Sequence, residues 1–333
     1  MKDKKGRVVI VTGREHTPRP DMADILRCRD SVERALVKRE WEVETIYFCE
    51  DDFSDTRMIR KILKVHNPVC IFNLFEGFAL DSRKEVEFAR ILGELGIPFT
   101  GNEAEALENC LDKNRMKSLL QKEGILVPEG IYIKGIDEIQ TGSLHFPLFV
   151  KPCFEDGSVG IENDSLVRTE EELRGVCERR LREFPAGVII EEFIGGTEYI
   201  TGGLGRWPYE LLGISVIEHR QDPAVPQFLS YSAKWDRSSK EYRTIVPHKK
   251  RLGAELEKKI TDVVRSAGKG LGLAGYFRVD VREQGGNVYV LDGNPNPDIN
   301  TDSGFIKQAS SKGYPYEVII ERIVREALWK QSK

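Results

Sequence analysis

The chain has 333 residues, 40% hydrophobic and 31% charged, with 50 basic against 54 acidic side chains and a formal net charge of −4. That balance excludes nucleic acid as the expected main partner, since phosphate neutralisation calls for a basic excess or stripe. The composition is globular rather than disordered, and the length suits two or three packed units.

Residues 8–11 are a short β-branched run ending at Thr12-Gly13, and 24–39 carry apolar residues at helical spacing. Strand-like 43–48, helix-like 56–66 and strand-like 69–75 follow, then a helix over 82–95 that closes at Gly96. Strands alternating with helices predict a parallel sheet with crossover helices. No GxGxxG follows any of these strands, so a dinucleotide-binding reading is weak.

A short strand and turn is expected at 97–101, and a helix over 113–122 that stops at Gly124. Strand-like pieces at 131–133, 148–150, 161 and 188–190 then surround one polar helix, 170–183. Beyond 191 come further strands, a polar stretch over 231–248, a helix over 255–268, a hairpin and two terminal helices. The expected units are 1–104, 105–190 and 191–333. Six widely spaced cysteines contain no CxxC, and five histidines contain no HExxH or HxH. Free thiols are therefore expected, and no zinc site. No apolar run approaches the ~20 residues of a membrane span. The charged opening leads straight into a strand, so a soluble, cytoplasmic protein without a signal peptide or membrane partner is expected.

The hairpin is the most informative segment. Two alternating runs flank Gly285-Gly286-Asn287. A three-residue loop would pair Gln284 with Val288, setting Asp280 opposite Asp292 and Arg278 opposite Asn294 on one face. Phe277, Val279, Tyr289 and Leu291 would then share the other face. Directly opposed carboxylates repel unless a cation lies between them, and two Asp with an Asn carbonyl are a hard-oxygen set suited to Mg²⁺. A two-residue Gly-Gly turn would shift the register by one. Asn294-Pro-Asn-Pro cannot continue a central strand, so the chain leaves the sheet where a ligand can approach.

Two weaker signals accompany it. Lys151 ends a strand before the glycine-bearing loop Gly157-Ser158-Val159-Gly160, where backbone N–H groups and a lysine could meet a phosphate. Val188-Ile-Ile-Glu191-Glu192-Phe193-Ile194, followed by Gly-Gly and Glu198, offers an apolar wall beside backbone donors and acceptors. Taken alone, the lysine loop reads more readily as an ordinary hairpin loop with a surface lysine, and the second segment as a buried strand ending in a solvated acidic turn.

In this order the segments resemble the D-alanine–D-alanine ligase family of the ATP-grasp superfamily, best from Ile97 to Ala327. The resemblance rests on Gly96-Ile-Pro-Phe-Thr-Gly101, Leu111-Asp112-Lys113, Phe149-Val-Lys151-Pro152 with the glycine loop, Glu191–Ile194 with Glu198, Ala233-Lys234, Arg278-Val-Asp280 and Leu291-Asp292-Gly-Asn294. It implies an ATP-grasp fold: an N-terminal parallel α/β (pre-ATP-grasp) domain and two α+β subdomains sandwiching ATP. Lys113, Lys151, Gly157 and Ser158 would meet the phosphates, Glu191, Glu192, Phe193 and Ile194 adenine, and Glu198 ribose. Asp280, Asp292 and Asn294 would hold Mg²⁺ or Mn²⁺. Arg278, Lys234 and Ser158 are the implied catalytic set, with Lys234 on a lid over 234–251. Arg278 and Ser303 are the implied substrate contacts, Glu76 is a further candidate where the sequence departs from the family, and a homodimer is the family expectation.

Four departures stand out. The family's metal-binding Glu is Asp292 here. Its N-terminal substrate glutamate has no clear counterpart near Glu15. Its His-Gly is replaced by Phe75-Glu76-Gly77, and Pro-Asn-Pro-Asp-Ile-Asn replaces a small-residue turn. Three of the four fall on the substrate side. The expected function is therefore an ATP-dependent carboxylate–amine ligase with altered amino acid or amine substrates, where Glu76, Asp298 and Asp302 suit an extra cationic group. The alternatives are a genuine D-alanine–D-alanine ligase and a nucleotide-binding protein without turnover.

Overall fold

The architecture is seen in a computed structural model that describes residues 5–15, 22–78, 81–219, 228, 245–248 and 252–331. Strand β1 (Arg7–Gly13) pairs in parallel with β2 (Glu42–Phe48) and β3 (Cys70–Leu74), in the order β2-β1-β3. Both faces are covered, as an unbroken Val/Ile run in a parallel strand requires. Val8 and Ile10 pack with Val32 and Leu36 of α1 (Met22–Lys38). Val9 and Val11 pack with Ile59 and Leu63 of α2 (Thr56–Val65) and Phe88 and Leu92 of α3 (Arg83–Leu95). Where a short strand was expected, Phe99 makes only an isolated parallel bridge to Ile71. Helix α4 (Ala104–Leu111), absent from the sequence expectation, precedes α5 (Lys113–Lys122).

A second, antiparallel sheet has the order β4-β7-β5-β6, with β4 (Gly130–Ile133), β5 (Leu148–Pro152), β6 (Leu166–Val167) and β7 (Val188–Glu192). Its inner face packs on α6 (Glu170–Glu183). Ile161, expected in a strand, lies outside this sheet. The third sheet, also antiparallel, runs β10-β9-β8-β11-β12, with β8 (Thr197–Gly205), β9 (Glu210–His219), β10 (Ile245–His248), β11 (Gly275–Gln284) and β12 (Asn287–Asn294). Helices α5 and α7 (Ala254–Gly270) share its core. The chain changes from the second sheet to the third between Glu192 and Thr197. Helices α8 (Gly304–Ser311) and α9 (Tyr316–Gln331) join the third sheet to the first through a common core. No described helix is long and apolar enough to cross a membrane.

The hairpin corrects one expectation. Gln284 pairs with Asn287, so the turn is the two-residue Gly285-Gly286, with φ of 59° and 79° as a type I′ turn demands. The expected shift of register does occur, but it is reversed farther along the strand. Val281 faces Val290, Leu291 is bulged out, and Asp280 faces Asp292 with Arg278 facing Asn294. Ahead of the bulge Val288 and Val290, not Tyr289 and Leu291, join Phe277, Val279 and Val281 in the core.

Candidate active site

A cavity of about 520 Å³ lies between the second and third sheets. Its first wall follows from strand alternation. Leu148, Val150, Val188 and Ile190 point into their own core. Phe149, Lys151 and Glu191 therefore share the opposite face, Glu191 pairing with Phe149 and Lys151 with Ile189. Glu191 Oε1 lies 2.7 Å from Lys151 Nζ and Oε2 lies 2.7 Å from Lys117 Nζ, all three side chains being buried. Burial would raise the Glu191 carboxyl, but the two ammonium groups outweigh it and hold the carboxyl down at about 2. Lys113, one helical turn before Lys117, reaches the loop after β5, donating to the Glu155 carbonyl at 2.5 Å and lying 3.5 Å from Asp156 Oδ1. Burial works against its charge, and Asp292 and Asp156 more than restore it.

The loop itself turns through three left-handed residues, Gly157, Ser158 and Gly160, at φ of 64°, 68° and 70°. At Gly160 a Cβ would also lie 2.5 Å from Pro152 and 2.7 Å from Phe184, so glycine is required there on both counts. Gly157 and Ser158 line the cavity with Lys113 and Lys151.

Glu191–Ile194 and Glu198 also line it, as expected. The Glu192 carboxylate, however, accepts from the His145 backbone N–H at 2.9 Å and lies 2.8 Å from His145 Nδ1. Phe228 lies edge-on to Phe149, with ring centroids 4.9 Å apart.

The opposite wall is the polar face of β11 and β12. Arg278, Asp280, Asp292 and Asn294 all line the cavity. Arg278 forks onto Asp280, donating from Nε at 2.7 Å and Nη2 at 2.8 Å, and Asn294 Nδ2 donates to Asp280 Oδ2 at 3.2 Å. Burial disfavours the Arg278 charge, and Asp280 restores it. Bulged Leu291 lines the cavity as well.

Two expected substrate contacts lie off this cavity. Ser303 is buried and caps α8, its Oγ accepting from the Ile306 N–H at 3.3 Å, while the next residue, Gly304, lines the cavity. Glu76 is exposed and in electrostatic reach of Glu85, Cys28 and Tyr276. Lys234 and the expected lid over 234–251 fall outside the described residues, apart from β10. Sequence reasoning missed Lys117, Arg282, Phe228 and Lys307. Lys117 was signalled by its i+4 spacing from Lys113, and Arg282 by alternation from Arg278 and Asp280. Phe228 and Lys307 carry no such local signal.

A family model described as "D-ala D-ala ligase C-terminus" matches residues 131–325. D-alanine–D-alanine ligase B of Chromobacterium violaceum is 30% identical over 267 residues, 79% of this chain and 81% of that protein. A D-alanine–D-alanine ligase of Glaesserella parasuis is 32% identical over 245 residues, covering 70% and 73%. Among solved structures, the D-alanine–D-alanine ligase of Bacillus anthracis complexed with ATP superposes with a TM-score of 0.78 at 22% identity, over 98% of this chain and 99% of that one. The VanG D-Ala:D-Ser ligase of Enterococcus faecalis gives a TM-score of 0.76 at 21% identity, over 98% and 100%.

The fold is thus the ATP-grasp fold, a parallel α/β unit followed by two antiparallel sheets that face each other across a cavity. The chain belongs to the D-alanine–D-alanine ligase family, whose members are ATP-grasp carbon–nitrogen ligases, and it is an enzyme of that class.

Proposed function

We propose that the protein couples a carboxylate to an amine at the expense of ATP, through an acyl phosphate, with ATP held between units 105–190 and 191–333. The observation that carries this reading is one cavity with Lys113 and Lys151 at the glycine loop and Asp280 facing Asp292 on the opposite wall. A carboxylate resists amine attack because its leaving group would be oxide. Transfer of the γ-phosphoryl group releases ADP and forms an acyl phosphate, and the amine then displaces phosphate to leave an amide. Both steps move negative charge through the site, so fixed cations carry much of the catalysis.

Lys113 and Lys151, with Gly157 and Ser158, are assigned to the phosphates. The backbone of Glu192–Ile194 and the apolar Phe149–Phe228 pair are assigned to adenine, and Glu198 to ribose. Arg278 is assigned to the oxyanion formed on amine attack, and Ser303, whose O–H remains a donor, to a substrate carboxylate. Lys234 is assigned to the γ-phosphate. Asp280, Asp292 and Asn294 fit Mg²⁺ or Mn²⁺ in donor type, two carboxylates and an amide oxygen, although Arg278 competes for Asp280. When bound, such an ion neutralises the charge that develops on the transferred phosphoryl group.

Two substrate readings stand. The names of the relatives favour two D-alanines. The other, which we prefer, is an altered pair of amino acid or amine substrates. It is supported by the exit from β12, where Asn296 accepts from the Asn102 N–H at 3.0 Å and donates at 2.8 Å to Glu85, whose carboxyl is pushed up to about 8 chiefly by burial, so that the rewritten segment lies in electrostatic reach of Glu76. A cytoplasmic location belongs to the same proposal, supported by the use of ATP and by six free cysteines.

ADP formation against a panel of amino acids, small amines and dipeptides decides between the readings: D-alanine alone at full rate would overturn the altered pair. Lys151→Ala and Asp280→Ala should each lower turnover by roughly 10²–10⁴ with the fold intact by circular dichroism. A retained rate in either variant would remove the role assigned to that residue.

A further inference from the structure

Arg282 is buried on β11, and no role at the site has so far been assigned to it. Its guanidinium touches three of the positions assigned above to the nucleoside. Nε and Nη2 both donate to Glu198 Oε2, at 3.1 and 2.8 Å. Nη1 donates to the Ile194 carbonyl at 2.8 Å. The guanidinium carbon lies 5.1 Å from the centre of the Phe193 ring, and Arg282 itself lines the cavity. One rigid, planar cation thus spans the turn between β7 and β8 and fixes an acid, a carbonyl and an aromatic face together.

The way it holds Glu198 has a chemical consequence. Both N–H groups converge on Oε2, and Oε1 accepts no hydrogen bond from the described residues although Glu198 is buried at the cavity wall. A half-committed, desolvated carboxylate oxygen seeks a donor. The ribose hydroxyls assigned above to Glu198 are donors of that kind.

We propose that Arg282 is a specificity-determining residue for ribonucleotides: by engaging one oxygen of Glu198 and the Ile194 carbonyl together, it aims the other oxygen at a ribose hydroxyl. The inference rests on the nucleotide-binding reading given above. It extends that reading to discrimination between ribose and deoxyribose, because a buried acceptor built for a hydroxyl rejects the analogue that lacks it. Arg282 acts through Glu198 and is therefore a positioning residue.

Calorimetry with ADP, 2′-deoxy-ADP and 3′-deoxy-ADP on the full chain tests this without knowledge of the acceptor. The unaltered protein should bind ADP about tenfold or more tightly than at least one deoxy analogue, the preference expected of one charge-assisted hydrogen bond. In Arg282→Met that ratio should fall close to one while ADP binding weakens. Arg282→Lys keeps the charge but lacks the rigid planar fork that sets two N–H groups on one oxygen of Glu198, and its ratio should fall between the two. It also guards against a Met variant that does not fold. If all three ligands weaken together in the variants and the ratio persists, Arg282 is merely structural and the proposal fails. An unaltered protein that binds ADP without preferring ribose also overturns it. A protein that binds no ADP at all overturns the nucleotide-binding reading itself.

Discussion

Glu191 meets two ammonium groups in a place that water hardly reaches. Lys151 lines the cavity and Lys117 does not, so the second lysine leaves Lys151 with positive charge to spare for a ligand. Replacing Lys117 by Met should let Glu191 neutralise Lys151. Urea unfolding at pH 7 should then show a loss of about 1–3 kcal/mol, because Glu191 loses one of its two charge-assisted hydrogen bonds while Lys151 still compensates its charge. ATP affinity should fall at the same time. The pH dependence has a definite sign. A carboxyl depressed from 4.5 to about 2 stabilises the fold above pH 4.5 and loses that contribution as pH falls toward 2. In Lys117→Met the carboxyl is held down less, so the acid-induced loss should be smaller and complete at higher pH, and an unchanged acid limb would contradict the assignment. Lys151 was legible in the sequence because it ends a strand before glycines, and Glu191 because it ends the next apolar run. Their pairing was not, since a contact between residues 151 and 191 depends on strand register and not on local pattern.

At the scale of the element, the β11–β12 hairpin shows where pattern reading stops. Alternation placed Arg278, Asp280, Asp292 and Asn294 on one face, and the structure keeps them there. The turn is one residue shorter than supposed and the bulge was not foreseen, and the two cancel: the shorter turn shifts the ladder, and bulged Leu291 shifts it back. A bulge leaves no reliable mark in a single sequence, because Leu291 alternates as plausibly inward as outward. The assignment of the turn to Gly285 and Gly286 can be tested by substitution. Gly285→Asn should be nearly neutral, because Asn tolerates left-handed φ. Gly286→Val should cost about 1–2 kcal/mol in urea unfolding, because a β-branched residue is strained at φ of 79°. Equal effects at the two positions would mean that the turn does not adopt this geometry. Helix α4 was missed for a different reason: five of its eight residues are apolar, but eight residues make little more than two turns, too short a window for helical periodicity to stand out.

Across the whole molecule, the last helix joins the first sheet to the third. Ile319, Ile320, Ile323 and Val324 of α9 lie in one core with Val8 and Ile10 of β1, Val32 and Leu36 of α1, and Leu204 and Tyr276 of the third sheet. Local periodicity predicted the helix but not its partners, since the sequence separation is nearly the length of the chain. One buried acid fixes the junction. Glu321 accepts from Lys5 at 2.7 Å and Arg325 at 2.9 Å and pairs with Arg39 of the chain leaving α1, its own side chain only 3% exposed. Burial would raise its carboxyl, but the three cations hold it down at about 2. Its contribution is therefore complete above 4.5 and disappears as pH falls toward 2, the window that Glu191 and Glu210 share. Glu321→Gln should lower stability at pH 7 by about 1–2 kcal/mol, less than a fully buried pair would cost because the cations keep contact with water. Between pH 4.5 and 2.5 the variant should lose stability less steeply than the unaltered protein, without becoming flat, because Glu191 and Glu210 still titrate. ADP affinity at pH 7 should not change, since Glu321 does not line the cavity. A variant with an unaltered acid slope would show that Glu321 does not couple the N-terminal sheet to the C-terminal helix by charge, and that the apolar core alone holds them together.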